Sequence, residues 1–593
     1  MEPARLGTSK RRPRRGSVER PVDGRLVRKA SIVVVAPLLL LLLTLGRSGP
    51  LPAPPLPPAF DRSTATSLTV DLARENPNRV PGSLGAADAA AWFRNKLSLY
   101  GLAVREDRWR EDVPGVGRVE LRNLAAVVPG TVPETIVVVA HRDNNGETAG
   151  ANDDASGTAA LVELARAYAT AGTTESARTP LHTLVFLSTD GDAFGSLGAA
   201  RFATHSPLAR RAVAVVSLDG LAGDTRPRLE VGGLDGRSPP QALVRTATAR
   251  IAAETGGPPA LPGLLTQLVG LGLPFGYGEQ APVLGERTPA VRIATGPDAG
   301  VPPGGDERAA LDSARLGQLG RASESLLNSL DQTVELPAST NGAIYLAQRT
   351  VRGWALQLLL LASVVPFGAA ALDLLSRARR RRLPLRAAWR SLRRRVELWL
   401  VLLLIVGLAA LVGALPREPR LPPPPDEPPV DSWPLGLLAI LAFVASLAWL
   451  RSRARLLGRA PASPEDELAA YTVSFVALLL VAAGTALVSP YSLVFVLPSL
   501  YTWLWLPQLR RTPGWVTDVL FGAGLVGPVL ALVVLAEQLD LGARAPVYAA
   551  SLLTTGVVPW GATLALTAWA AVAGLIGSVA SGSYVPADGS SGR

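Results

Sequence analysis

The chain has 593 residues, no cysteine and a formal net charge of +11. This length predicts several folding units, and the lack of cysteine excludes disulfides, thiolate metal sites and a cysteine nucleophile. The arginines cluster beside apolar stretches and form no basic, aromatic-interleaved surface, so the charge does not indicate nucleic acid as a partner.

The N-terminal part combines a basic segment with an apolar run. Residues 1–30 hold ten Lys or Arg against three acids, which is typical of a disordered tail. The run at 31–47 follows directly and predicts a membrane anchor. A cleaved signal peptide is the alternative. The proline-rich residues 47–52 show no small-residue cleavage pattern, which favours the uncleaved anchor.

Residues 60–345 have mixed charge and alternate short apolar runs with helical patterns. The strand candidates are 104–109, 119–128, 135–140, 182–188, 213–218 and 289–293. The helix candidates are 83–100, 158–169, 196–205, 240–254 and 310–330. Such alternation predicts an α/β domain whose mostly parallel, mixed sheet is sandwiched by helices.

The most informative motif ends the third strand candidate. Its β-branched run is followed by His141, Arg142 and Asp143, and the pair Asp153-Asp154 opens a helical pattern soon after. A strand that delivers an imidazole and a helix start that delivers carboxylates gather metal ligands at one edge of a sheet. Further acids follow other strand candidates, so the sequence predicts a metal site at this edge.

The segment 83–335 resembles the co-catalytic zinc aminopeptidases of clan MH, a group that includes the glutamate carboxypeptidases. The matching motifs are 140–143, 150–160, 188–199, 216–220 and 305–326. The layout of one anchor, an outer domain and a polytopic tail is similar to the endoplasmic-reticulum metallopeptidases. The resemblance implies a zinc exopeptidase fold, a zinc cofactor, peptide substrates and aminopeptidase-type hydrolysis.

The resemblance also implies roles for individual residues. One zinc would be held by His141, by Asp153 as the bridging ligand, and by Asp219. Asp143 matches the carboxylate that orients the histidine. Asp192 occupies the position of the general base, which is a glutamate in the family.

The second zinc of the family lacks its ligands here. The family's second glutamate falls on Ala193, and its C-terminal histidine falls near Pro302. We therefore expect one zinc and doubt a second. The conceivable substitute ligands are Glu279, Asp298 and Asp306.

The general base position is also altered. Asp192 is one carbon–carbon bond shorter than glutamate, and a misplacement of about 1 Å can cost on the order of a hundredfold in rate. Asp190 could compensate only if its turn is rearranged. The remaining histidines, His182 and His205, lie at a strand start and a helix end, where we expect no catalytic role.

Residues 350–582 are a succession of apolar stretches that predict a polytopic all-α membrane domain of about seven helices, followed by a tail at 583–593. The runs are 354–375, 398–415, 435–450, 471–488, 493–506, 516–536 and 547–579. Pro559 interrupts the last run. One long helix, a helix with a re-entrant piece, and two short spans stay open as interpretations of it.

The basic loops predict the orientation in the bilayer. The segment 376–395 holds ten arginines, and further basic groups lie at 451–455 and 510–511. Because Lys and Arg flanks stay in the cytoplasm, one alternating assignment places all of them inside. The N-terminus is then cytoplasmic and the peptidase-like domain extracytoplasmic, in a multi-pass protein of the cell membrane.

Three functions follow from these features. The first is a membrane-anchored aminopeptidase with a reduced or one-metal centre. The second is an inactive pseudopeptidase that binds peptides or proteins. The third, a transporter with an accessory outer domain, is weakened because the acids Asp373, Asp518 and Glu537 lie near helix ends and not in the middle of a span.

Overall fold

The computed structural model describes residues 20–46, 48–169, 179–295, 306, 310–333, 340–412, 422, 443, 446, 462–509 and 512–587. The first helix is α1 (Gly24–Leu43). Asp23 caps it by accepting the backbone N–H of Arg25. The helix is apolar and largely exposed, and it packs along the first helix of the C-terminal part.

A seven-stranded mixed sheet forms the centre of the N-terminal domain. Its strands are β1 (Val104–Val113), β2 (Gly117–Val128), β3 (Val132–His141), β4 (His182–Thr189), β5 (Ala212–Asp219), β6 (Arg228–Glu230) and β7 (Ala290–Ala294). They lie in the order β1-β2-β4-β3-β5-β7-β6. The central strands β4, β3, β5 and β7 are parallel, and the outer strands pair antiparallel. The predicted α/β fold class is confirmed.

Helices cover both faces of this sheet. They are α2 (Arg62–Glu75), α3 (Leu84–Leu99), α4 (Gly157–Ala167), α5 (Leu197–His205), α6 (Gln241–Thr255), α7 (Leu264–Gly272), α8 (Gln280–Gly285) and α9 (Ser313–Asp331). Because strand side chains alternate, Val138 packs into the larger core while Val137 and Val139 pack into a smaller core on the other face. The sequence did not predict α2, α7, α8 or the three-residue strand β6.

The register of the parallel strands brings their carboxyl ends together. His141 lies beside Thr189 of β4, and Val139 lies beside Ser217 of β5, two residues before Asp219. Side chains at these positions point to the same face of the sheet. The register thus places the end of β3 next to the ends of β4 and β5, at the edge where ligands bind in such folds.

A short hairpin connects the domain to the C-terminal part. It consists of β8 (Ala343–Leu346) and β9 (Arg349–Arg352), and Gly46 at the end of α1 forms a β-bridge with Thr350. The described helices that follow are α10 (Gly353–Arg380), α11 (Leu385–Leu411), α12 (Pro464–Val488), α13 (Leu493–Trp503), α14 (Gly514–Gly524), α15 (Val526–Gln538), α16 (Ala545–Thr554) and α17 (Trp560–Ala580). We call α10–α17 the helical block.

Among the described residues, four helices are long and apolar enough to cross a membrane: α1, α10, α12 and α17. The pair α14 and α15, bent by 55°, adds a fifth if it is one broken span. These helices indicate membrane association. Two predicted spans fall outside this set: α11 begins with an arginine-rich half, and α13 has 11 residues.

The last apolar run forms α16, of 10 residues, and α17, of 21 residues, so the interpretation as one long helix is wrong. α16 ends at Thr554, and Pro559 occupies the N-cap position of α17. The predicted span 435–450 and the basic groups at 451–455 and 510–511 lie outside the described residues, apart from positions 443 and 446.

The helical block contacts the N-terminal α/β domain through the segment between α7 and α8. Phe275 is buried with Leu535, Leu539 and Tyr548 of the block. The hydroxyl of Ser492, just before α13, donates to the carbonyl of Gly272 over 2.6 Å. The same segment continues into residues that line the sheet edge described below, so the block supports this edge from outside the domain.

Candidate metal centre

Three potential ligands meet at the end of β3. His141 Nε2 lies 2.9 Å from Asp153 Oδ1 and 3.8 Å from Asp219 Oδ1. These three ligand atoms all lie within 4.8 Å of one another, and no other such group occurs in the described part of the chain. The structure therefore brings together the metal ligands that the resemblance implied.

The local structure fixes Asp153 at this position. Asp306 accepts the backbone N–H groups of Asn152 and Asp153 at 2.5 and 3.0 Å. The buried guanidinium of Arg79 donates to the carbonyl of Gly150 at 2.8 Å. Both Asp306 oxygens accept backbone donors, so Asp306 shapes the loop that carries Asp153, and it is not part of the ligand group at His141.

The donor set fits one zinc ion. His141 is buried, and its Nε2 makes no hydrogen bond although it faces carboxylates. Its Nδ1 lies 3.2 Å from the carbonyl oxygen of Asp143, so Nε2 is the nitrogen directed at the cluster. The Asp153 side chain is 42% exposed, which leaves access from solvent. Three protein ligands and one open position are the pattern of a catalytic zinc site.

The His141 imidazole and the surrounding carboxylates interact strongly through their charges. Burial lowers the pKa of His141, but the carboxylates of Asp192, Asp143, Asp153 and Asp219 outweigh it and hold this pKa well above its usual value. Without a metal, the imidazole thus carries the positive charge that the carboxylates require. Metal binding would release that proton, since a ligating imidazole is neutral.

Asp143 positions two parts of the site. Its carboxylate lies 3.5 Å from His141 Nδ1 and accepts the backbone N–H groups of Asp192 and Ala193, both at 3.1 Å. Burial acts to raise the pKa of Asp143, but these contacts lower it overall. Asp143 therefore contacts the histidine through its backbone carbonyl at 3.2 Å and its carboxylate at 3.5 Å, and it also holds the turn that carries Asp192.

Asp192 faces the same cluster. Its Oδ2 lies 3.8 Å from His141 Nε2, and its side chain is 12% exposed. Burial raises its pKa to about 6, with Asp219 and Asp143 adding to the effect and His141 opposing it. Asp192 therefore places a carboxylate beside the potential metal ligands.

Asp190 does not replace Asp192. It forms a buried ion pair with Arg142 at 2.8 Å and accepts the backbone N–H of Arg122 at 3.1 Å. Burial raises its pKa to about 6, although Arg142 opposes this. Asp190 thus has a structural role, because it binds Arg142 and the backbone of Arg122 beneath the turn that carries Asp192.

Two of the positions considered for a second zinc, Ala193 and Glu279, lie among the described residues. Ala193 offers only its backbone N–H, which Asp143 accepts. Glu279 is buried and accepts hydrogen bonds from the hydroxyls of Thr189 and Ser217, the latter at 2.8 Å. Burial and the nearby Asp192 raise the pKa of Glu279 to about 8. Glu279 is not part of the ligand group at His141, and the positions of Asp298 and Pro302 lie outside the described residues.

The sequence did not predict the role of Arg292. This residue lies on β7 beside Ser217 of β5, and its buried guanidinium pairs with the Asp219 carboxylate. Burial would raise the pKa of Asp219, but Arg292 and His141 hold it well below its usual range. The available signal was an arginine inside an otherwise apolar strand candidate, because a buried charge requires a partner.

The two other histidines lie away from this cluster. His182 begins β4 and its Nδ1 lies 3.3 Å from Asp331. His205 ends α5, where its Nδ1 lies 2.7 Å from the neighbouring Thr204 hydroxyl. Neither contributes to the metal site.

Comparisons with known proteins find similarity within the α/β domain. Residues 123–259 match the model of peptidase family M28. This range includes His141, Asp153, Asp192 and Asp219. A search of curated proteins gives no match.

Similar solved structures include zinc aminopeptidases and glutaminyl cyclases. BSAP, a zinc aminopeptidase from Bacillus subtilis, is 14% identical, with a TM-score of 0.38 over 48% of this chain and 98% of its own. Porphyromonas gingivalis glutaminyl cyclase is 17% identical, with a TM-score of 0.37 over 46% and 99%. The aminopeptidase from Aneurinibacillus sp. strain AM-1 is 13% identical, with a TM-score of 0.36 over 48% and 95%. The family match thus shows that residues 123–259 are similar to peptidase family M28.

Proposed function

We propose that the protein is a membrane-anchored metallo-exopeptidase of the aminopeptidase type that works with one zinc ion. The observation that carries this proposal is the convergence of the buried His141 Nε2 with the carboxylate oxygens of Asp153 and Asp219, at 2.9 and 3.8 Å. The family M28 match supports a peptidase-type function. Peptides are the proposed substrates.

The residues of the site take distinct roles in this proposal. His141, Asp153 and Asp219 would hold the ion. When bound, zinc supplies a Lewis acid that polarises a carbonyl and lowers the pKa of a bound water. Asp192 is the general base that accepts the proton of the attacking water, and Asp143 fixes its distance from His141 by holding the turn.

Turnover of aminoacyl substrates by the full-length protein in detergent tests the proposal. We expect activity that a chelator abolishes and that added zinc restores. Asp192→Asn keeps the shape of the side chain but removes the proton acceptor, so activity should fall by about 10²–10⁴-fold. The matched control is Asp224→Asn, an exposed acid of the same domain, which should leave activity unchanged.

An inactive pseudopeptidase is the second candidate, and Ala193 is the observation that favours it. Retained zinc and peptide binding without detectable turnover in the native chain would select this candidate and reject the enzyme. Transport has less support, because Asp373 pairs with Arg377 on the arginine-rich last turns of α10. Such a pair is more typical of a helix end than of an ion pathway.

A multi-pass arrangement is part of the proposal, and two groups of contacts support it. At one end, Gln508 donates to the carbonyl of Val22 and Arg395 donates to Ser578, at 3.3 and 3.0 Å. At the other end, the helical block meets the outer domain, as at Ser492. The arginine-rich residues 377–395 lie toward the first end. Positive flanks stay inside, so the outer domain is extracytoplasmic.

Cysteine labelling tests this topology cleanly, because the native chain has no cysteine. We expect Glu134→Cys, in an exposed position of the outer domain, to react with a membrane-impermeant maleimide on intact cells. Arg386→Cys, in an exposed position after α10, should react only after lysis. The reverse labelling pattern would contradict both the orientation and the extracytoplasmic location of the site.

A further inference from the structure

Arg292 introduces a permanent positive charge beside the proposed zinc site. Its side chain is 6% exposed, and its guanidinium pairs with Oδ2 of Asp219, while Oδ1 of the same carboxylate faces His141 Nε2. Asp219 is thus shared between a protein cation and the metal position. A guanidinium keeps its charge at every pH at which the protein is folded.

The surroundings of Arg292 are built to hold it there. Gly278, with φ of 77°, lies against the guanidinium, and a Cβ at this position would come within 2.7 Å of Arg292 Cζ. Glu230 is its cross-strand neighbour on β6. The carboxylates of Asp192 and Asp153 also lie close enough to stabilise its charge. The arginine therefore lies among the acids of the cluster and offsets part of their negative charge.

We propose that Arg292 is a positioning residue that serves as the second cation of the centre, in place of a second metal ion. It pairs with Asp219 so that this ligand presents one oxygen to the zinc. It also neutralises the acidic cluster on the side away from His141. The proposal rests on the proposed one-zinc site and accounts for why that site tolerates the loss of a ligand at Ala193.

The repulsion between the guanidinium and a bound zinc ion predicts how removing Arg292 changes the zinc affinity. A unit charge and a divalent cation about 5 Å apart repel enough to change an affinity at least tenfold, even with the dielectric constant of water. Arg292→Met keeps an apolar side chain but removes the charge. We expect it to bind the first zinc at least tenfold more tightly and to take up a second zinc in excess metal. Arg292→Lys should keep one zinc, with an affinity within about threefold of the native value.

Zinc titration of the full-length protein in detergent, with metal content measured after gel filtration, tests this inference without measuring activity. Gly278→Ala keeps the arginine but should move its guanidinium away from Asp219. We expect it to shift the zinc affinity in the same direction as Arg292→Met. It also provides the test if Arg292→Met does not fold. The matched control is Arg201→Met. It breaks an ion pair with Asp107, whose atoms are 3.1 Å apart, at a position away from the metal site. We expect this variant to keep the native zinc affinity and stoichiometry.

The outcomes separate this inference from the proposed function. One zinc in a folded Arg292→Met variant, bound with native affinity, would overturn the role of Arg292 and leave the one-zinc site intact. No zinc in the native chain would overturn both. Two zinc ions in the native chain would show that the arginine does not replace a metal.

Discussion

Replacing His141 by alanine is expected to abolish tight zinc binding. His141 supplies the only nitrogen of the ligand group, and its Nε2 lies between the carboxylates of Asp153 and Asp219. Loss of an outer partner of a metal ligand typically costs about 10–100-fold in affinity, and loss of the ligand itself should cost more. The same result is expected for Asp219→Ala.

Competition with a chromophoric chelator measures these affinities in the full-length protein. The matched control is His182→Ala, because His182 is buried in the same domain at the start of β4 but contacts Asp331. We expect this variant to retain the native zinc affinity. Equal affinities in the His141 and His182 variants would place the metal elsewhere.

Replacing Asp190 by alanine is expected to lower the stability of the domain by about 3–5 kcal/mol, because it leaves the buried Arg142 without its carboxylate partner. In a chain of this size, that change should lower the melting temperature on the order of 10 °C. The fluorescence of the native tryptophans can follow the transition in detergent. Asp107→Ala is the control, since its pair with Arg201 is exposed and worth at most about 1 kcal/mol.

The Asp190 experiment also decides between two roles for this acid. If Asp190 acted as a base in place of Asp192, Asp190→Asn would lose activity at an unchanged melting temperature. The buried ion pair predicts instead that Asp190→Asn lowers the melting temperature, and that any loss of activity follows from this loss of stability.

The central sheet was predictable because its strands are β-branched and its loops carry polar turn residues. The positions of His141 and Asp219 followed from this, since parallel strands present their carboxyl ends at one edge. The short elements β6 and α8 were not predictable, because three to six residues carry too little periodicity.

The two residues whose roles could not be predicted depend on long-range register. Arg292 meets Asp219 only because β7 pairs with β5, and the two residues are 73 positions apart. Glu279 was a candidate ligand from its charge alone. Its partners, Thr189 and Ser217, come from two different strands, and only the folded sheet shows that their hydroxyls occupy its carboxyl group.

The zinc content of the native full-length protein tests the one-metal centre most directly. Protein purified in detergent, saturated with zinc and freed of excess metal, would be measured by atomic emission against protein concentration. We expect one zinc per chain, held by His141, Asp153 and Asp219, with Arg292 as the neighbouring cation. Two zinc ions per chain, or none, would contradict this account.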